Sequence, residues 1–333
     1  MTVEAAQPRV EVRARPGDPH AEPLALALDL GASRIRAAVV TPAGGLLARH
    51  ARPTPLGAGP AAVLAACLAS LEQARAALPP TDRARLIAVG VSAPGPLDSA
   101  TGRLLEPPNL GPAFLDLPLA APLAEALGLP VTVARDTTVA ALAEGAFGAA
   151  RGVADYIYLT VSSGIGGAVV SDGRLLRGVE GLAGELGHVS VELDGPPCGC
   201  GGRGHLEALA SGLAIARAAG ARDARRVADA ELAGDPAASA VMERARRAFA
   251  AALVGFVDIF APRLIVVGGS LAREQGERWL GPAREAIARE AFRTAASRVE
   301  LVPARLGDDV GLIGAAVVLD LTGRPKRAHA TTS

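Results

Sequence analysis

Lysine is almost missing from this chain: of 333 residues, only Lys326, in the tail RPKRAHATTS, carries an ε-amine. A Walker A loop, a protein-kinase strand lysine and a Schiff-base mechanism each need a lysine in the folded body, so those chemistries are excluded. Cysteine is scarce as well. Three thiols cannot frame a disulfide scaffold, and Cys198 and Cys200 stand too close in sequence for an ordinary structural disulfide, which makes metal binding the better use for them. Net charge is absent, with 34 cationic against 34 acidic side chains, so no field draws the chain to nucleic acid or to an anionic membrane. No signal-peptide core opens the sequence and no window approaches an uncharged span of about 18 apolar residues. A cytoplasmic protein with neither nucleic-acid nor membrane partners is expected.

Half of the residues are apolar, and 333 of them favour two lobes over one. Residues 1–22 are polar, proline-punctuated and aperiodic, and read as a disordered leader. From Leu24 the runs LALALDL, RIRAAVV and LLARHA, separated by GAS and TPAGG, predict an antiparallel three-stranded meander. Helical spacing over 61–78 and a buried strand over 86–93 complete a first α/β lobe. A helix near 119–127 and a strand over 131–134 lead to Asp136 and a helix from Thr137 to Phe147. A second meander follows in YIYLTVS, AVVSDG and RLLRG, which points to an ancient duplication. Helices are expected at 205–219, 237–261, 275–292 and 310–321, and a strand at 263–269. The lobes divide as 24–134 with 310–322, and 135–309, the latter carrying a zinc-binding segment over 188–205.

Five segments carry chemistry. Asp29-Leu30-Gly31-Ala32-Ser33-Arg34 closes the first hairpin; its carboxylate can hold Mg²⁺ through water while backbone N–H groups and Ser33 face a phosphate, although a turn with a capping Asp explains it equally well. Ser162-Ser163-Gly164-Ile165-Gly166-Gly167 occupies the matching turn of the second meander, where glycines let backbone donors approach phosphate oxygens. The two loops would face each other across an interlobe cleft. Gly268-Gly269 ends a strand where an adenine or ribose could lie flat against backbone, or simply turns the chain. His188, Cys198, Cys200 and His205 fall within 18 residues of glycine-rich chain and supply the thiolates and imidazoles that tetrahedral Zn²⁺ prefers. A match to G-x-G-x-x-G at Gly199, Gly201 and Gly204 lacks the preceding strand of a dinucleotide site. Asp136, at a strand end, is read by itself as a helix N-cap or as a base for a hydroxyl proton.

Taken in order, DLGASR, VSAPGPLD, PPNL, RDTTVAALAEGAFG, SSGIGGAVVSDGRLLRG, GLAGELGHVSV, CGCGGRGHLEALASG and LIVVGGSLA resemble the ROK family of sugar kinases and related repressors, from about Leu24 to Leu321. The resemblance implies the α/β, two-lobed actin-like ATPase (ribonuclease H-like) fold with an active-site cleft. It implies Asp136 as catalytic base, and Glu185, His188 and Glu207 on sugar hydroxyls, with Gly95, Asn109 and Arg135 also at the sugar. Asp29, Gly31, Ser33, Arg34, Ser163, Gly164, Gly166, Gly268 and Gly269 become nucleotide-binding residues. ATP, Mg²⁺ and a structural Zn²⁺ are the implied cofactors, and a homodimer or homotetramer the implied assembly. Arg135 stands where the family usually has asparagine, Ser163 where it has threonine, Ala32 where it has glycine, and His205 where it has a third cysteine. Glucose is the first expected substrate; N-acetylmannosamine, N-acetylglucosamine and fructose are alternatives, as is a catalytically impaired sugar-binding regulator. The 28 residues ahead of Asp29 show no helical periodicity, so a DNA-binding helix-turn-helix is not expected.

Overall fold

The computed structural model describes residues 22–107 and 109–321, so the leader, apart from Glu22, and the tail from 322 lie outside the described residues. Two compact units emerge, one of the described residues up to Ala143 and from Asp309 on, the other of Glu144–Asp308. The division falls inside one helix, which assigns Asp136 to the first unit.

The first unit is built on β1 (Leu24–Leu30), β2 (Arg34–Val40), β3 (Leu46–Pro53), β4 (Leu86–Ala93) and β5 (Val131–Arg135), in the order β3-β2-β1-β4-β5. The meander is antiparallel; β4 and β5 join parallel to β1. In LALALDL the period of two sorts residues by size. Leu24, Leu26, Leu28 and Leu30 pack with Val63, Cys67 and Leu71 of α1 (Pro60–Ala76). Ala25 and Ala27 face Leu312, Ala315 and Ala316 of the final helix, Val310–Val318. Both faces of β1 are thus buried, as expected of a central strand covered by helices on both sides. Asp29 continues the alanine series and is thereby delivered to the N-terminal end of that last helix, beside Gly311.

The second unit repeats the plan. The strands β6 (Tyr156–Val161), β7 (Ile165–Ser171), β8 (Arg174–Leu175), β9 (Leu264–Gly268) and β10 (Glu300–Pro303) lie in the order β8-β7-β6-β9-β10, again three antiparallel and two parallel. The shared order and directions support the duplication read from the meanders. The helix Pro236–Phe260 starts at Asp235, whose carboxylate accepts from Ala238 N–H at 2.8 Å, and ends where Ala261 turns left-handed. Its Phe249, Leu253 and Phe256 are fully buried, each contributing about 1.5–3 kcal/mol.

One expected helix is split. Ser211 is extended (ψ 159°) and its hydroxyl accepts from Ala214 N–H, which divides 205–219 into Leu206–Ala210 and Gly212–Ala218. The helix expected over 275–292 runs Glu277–Glu290, and Gly276, at φ 54° and ψ −128°, separates it from a helix that was not expected, Ser270–Gln275. The final helix stops at Val318, and the helix Ala224–Leu232 and the edge strand β10 were not expected. Among the described residues no helix is long and apolar enough to cross a membrane.

Glu144, on α2 (Asp136–Phe147), is fully buried. Its carboxylate accepts from three backbone donors, Ala149 N–H at 2.6 Å and Arg305 and Leu306 N–H at 2.9 Å each. Glu144→Ala leaves these donors without an acceptor and is expected to lower unfolding free energy by about 3 kcal/mol in urea denaturation; a loss under about 0.5 kcal/mol would contradict that role.

Candidate active site and metal centre

The metal-ligand set is assembled by local backbone geometry. Cys198 N–H donates to Gly202 O at 2.8 Å and Gly201 N–H to Cys198 O at 3.1 Å, closing a tight turn that carries both thiols. Single bridges Pro197↔Arg203 and Ser190↔His205 bring the turn and His205 alongside the segment after His188. The four ligand atoms lie within 4.8 Å of one another. Cys198 Sγ is 3.6 Å from His188 Nδ1, and Cys200 Sγ is 3.2 Å from His205 Nδ1. Tetrahedral Zn²⁺ separates a sulfur and a nitrogen ligand by about 3.5 Å, so the donor set fits that ion in both chemistry and size. Burial, and then the nearby Cys200 and Glu207, push the Cys198 thiol above its ordinary range. A divalent cation between the sulfurs would offset that cost.

Two glycines make room for these ligands. A Cβ on Gly187 would stand 1.9 Å from Ile165 O, so the chain entering His188 lies directly on β7. A Cβ on Gly202 would stand 2.2 Å from Cε1 of His205, whereas nothing lies within 4 Å of one on Gly199.

Around the cluster stand the expected sugar ligands of this unit. With Nδ1 turned to Cys198, His188 directs Nε2 toward Glu185, 3.9 Å from Oε2. Glu207 is half-buried at the start of the helix Leu206–Ala210, and its Oε2 accepts from Ile165 N–H at 2.8 Å. The glycine-rich loop adjoins it. Ser162 N–H donates to Gly164 O at 2.9 Å, while the N–H groups of Ser163 and Gly164 meet no acceptor among the described residues. Gly166 lies within β7. Gly268 sits under the Tyr158 hydroxyl and Gly269 against the Val161 backbone, so packing alone accounts for both.

In the first unit, Asp136 is exposed at the first position of α2, its Oδ1 accepting from Thr137 N–H at 2.7 Å. Arg135 Nε donates to Thr137 Oγ1 at 2.9 Å, and its stem runs over Gly95, where a Cβ would meet Cδ at 2.8 Å. Gly95, Arg135 and Asp136 are therefore one local group. Asn109 is exposed in the turn after Pro107 and makes no hydrogen bond to them. Asp29 is buried, and Oδ2 accepts from Arg36 Nε at 3.0 Å and also from Nη2. Arg36 was not singled out in the sequence; its place opposite Asp29 in the β1–β2 register was the available signal. Gly31 O accepts from Thr54 Oγ1 at 2.7 Å, and Ser33 and Arg34 are exposed at the turn.

The model of the ROK family matches residues 25–320. The chain belongs to the ROK family. Within it, a glucokinase of Thermotoga maritima is 37% identical over 250 residues, covering 69% of this chain and 78% of that protein. An N-acetylmannosamine kinase of Shigella boydii is 35% identical over 298 residues, covering 88% and 97%. The crystal structure of a ROK family glucokinase from Streptomyces griseus, in complex with glucose and AMPPNP, superposes with a TM-score of 0.75 at 30% identity, covering 89% of this chain and 98% of that one. The actin-like ATPase fold expected from the sequence is the fold of these ROK sugar kinases.

The Gly202 contact gives a sharp test of the ligand turn. Gly202→Ala displaces the His205 ring and is expected to lower zinc affinity at least about tenfold in competition with a chromogenic chelator, whereas Gly199→Ala leaves it unchanged. Equal affinities for the two variants would contradict the geometry.

Proposed function

We propose that this sugar kinase of the ROK family transfers the γ-phosphoryl group of ATP to a hydroxyl of a hexose, with glucose as the first substrate to try. The observation that carries the reading is the orientation of His188: one ring nitrogen lies in the metal cluster and the other is turned to Glu185. An imidazole fixed in this way has one tautomer and one ring plane, and can hold a sugar hydroxyl without searching for it. Glu185 and Glu207 supply carboxylate acceptors to further hydroxyls. His188, Cys198, Cys200 and His205 would hold Zn²⁺, which would orient this set and leave the transfer to the protein side chains.

Asp136 accepts the proton of the attacking hydroxyl, its carboxylate held through Oδ1 by Thr137 N–H. Phosphoryl transfer asks the protein mainly for alignment and charge stabilisation. Those tasks fall to the N–H groups of Ser163 and Gly164, to Gly166, and to Gly31, Ser33 and Arg34 on the phosphates, with the adenine or ribose left to lie beside Gly268 and Gly269. Mg²⁺ would be held through water at Asp29. Because Arg36 occupies Oδ2, Asp29 offers the metal shell its Oδ1 alone.

Arg135 favours a second reading. A guanidinium only donates, so beside Gly95 and Asp136 it suits an acceptor such as the carbonyl of an N-acyl group. The N-acetylmannosamine kinase also matches more of the chain than the Thermotoga glucokinase does. A phosphorylation screen with ATP over hexoses, ketohexoses and N-acetylhexosamines separates the two. Sugar-dependent ATP consumption is expected for at least one of them and should fall by at least about 100-fold in Asp136→Asn; turnover unaffected by that substitution would overturn the assignment of the base.

A further inference from the structure

The segments that carry the metal ligands also hold the glycine-rich loop, from both sides. Gly187, the neighbour of His188, lies against Ile165 O. Beyond His205, Glu207 Oε2 accepts from Ile165 N–H, Gly212 N–H donates to Ser162 O at 2.7 Å and Leu213 N–H donates to Ser163 O at 3.2 Å. A Cβ on Gly164 would come within 2.7 Å of Glu207 Oε2, so the loop and the carboxylate are in contact.

These contacts have a directional consequence. In a planar trans peptide the C=O of one residue and the N–H of the next point in opposite directions. Fixing the carbonyls of Ser162 and Ser163 on the first turn of the helix Gly212–Ala218 therefore aims the N–H groups of Ser163 and Gly164 away from that helix. These are the two loop donors that no described residue accepts from. The adjoining Ile165 N–H, which could compete for the same ligand, is taken up by Glu207.

We propose that Glu207 is a positioning residue for the phosphate-binding loop, and that the metal-ligated segment sets the direction of the loop's donors. The proposal rests on reading Ser162–Gly166 as a nucleotide loop. Glu207 then has two duties, one oxygen on Ile165 N–H and the other on the sugar. Sugar bound at Glu207 stiffens the loop, and nucleotide bound at the loop stiffens Glu207, so each ligand raises affinity for the other.

The test measures binding of Mg·AMPPNP without sugar by calorimetry, and amide exchange of the 162–167 segment, in the zinc-loaded protein. Glu207→Ala is expected to speed exchange at Ile165 and weaken nucleotide binding about tenfold. Glu207→Gln, whose amide oxygen can still accept, is expected to restore both while sugar affinity stays low. Zinc removal by chelation should reproduce the Glu207→Ala exchange pattern in 162–167 while exchange in β6 and β9 stays slow. Unchanged exchange at Ile165 in Glu207→Ala would overturn the proposal, as would nucleotide affinity unchanged in Glu207→Ala while sugar affinity falls. Wild-type protein that binds no nucleotide would instead remove the nucleotide-loop reading, and the exchange result would still decide whether Glu207 fixes Ile165.

Discussion

In the second unit four side chains, His188, Cys198, Cys200 and His205, bring their ligand atoms within 4.8 Å of one another. The segment between them is rich in glycine and proline and contributes little apolar surface of its own, so packing alone gives it little reason to keep one conformation. A divalent ion bound by these thiolates and imidazoles would supply that reason, because metal binding free energy would then be conformational free energy. Such an ion would fix more than the turn. His188 and Glu185 lead into it, His205 and Glu207 lead out, and the loop Ser162–Ile165 is gripped between the residues that flank the ligands.

The first unit meets its task by different means. Asp29, Gly95 and Asp136 sit at the carboxyl ends of the neighbouring strands β1, β4 and β5, where ligands gather in α/β folds. Asp29 arrives there by the alternation of β1 and is held by Arg36. Asp136 arrives by the strand-to-helix transition after Arg135. Arg135 is tied to Thr137 and packed on Gly95, so the residue next to Asp136 is a positioned cation, a constraint on any sugar that the proposed base would serve.

Much of this was legible in the sequence. The β1–β3 meander, its repeat over 156–175 and the strand before Asp136 follow from alternation and turn residues, and the duplication reappears as two sheets of one strand order. The ligand set was legible from residue chemistry. Three kinds of feature were not. Ser211 breaks a run whose apolar spacing is continuous, because the break is a choice of ψ that hydrophobic period does not encode. The edge strand β10 has four residues, one of them buried, too few for an alternation to show. Glu144 and the link from Glu207 to Ile165 join residues far apart in sequence, and a polar residue's long-range partner leaves no local pattern.

X-ray absorption at the zinc edge of the purified protein tests the central claim most directly. Two sulfur ligands at about 2.3 Å and two nitrogen ligands at about 2.0–2.1 Å are expected, with one sulfur lost in Cys198→Ser. A folded protein whose zinc shell contains only nitrogen and oxygen, or that carries no zinc, would contradict the account.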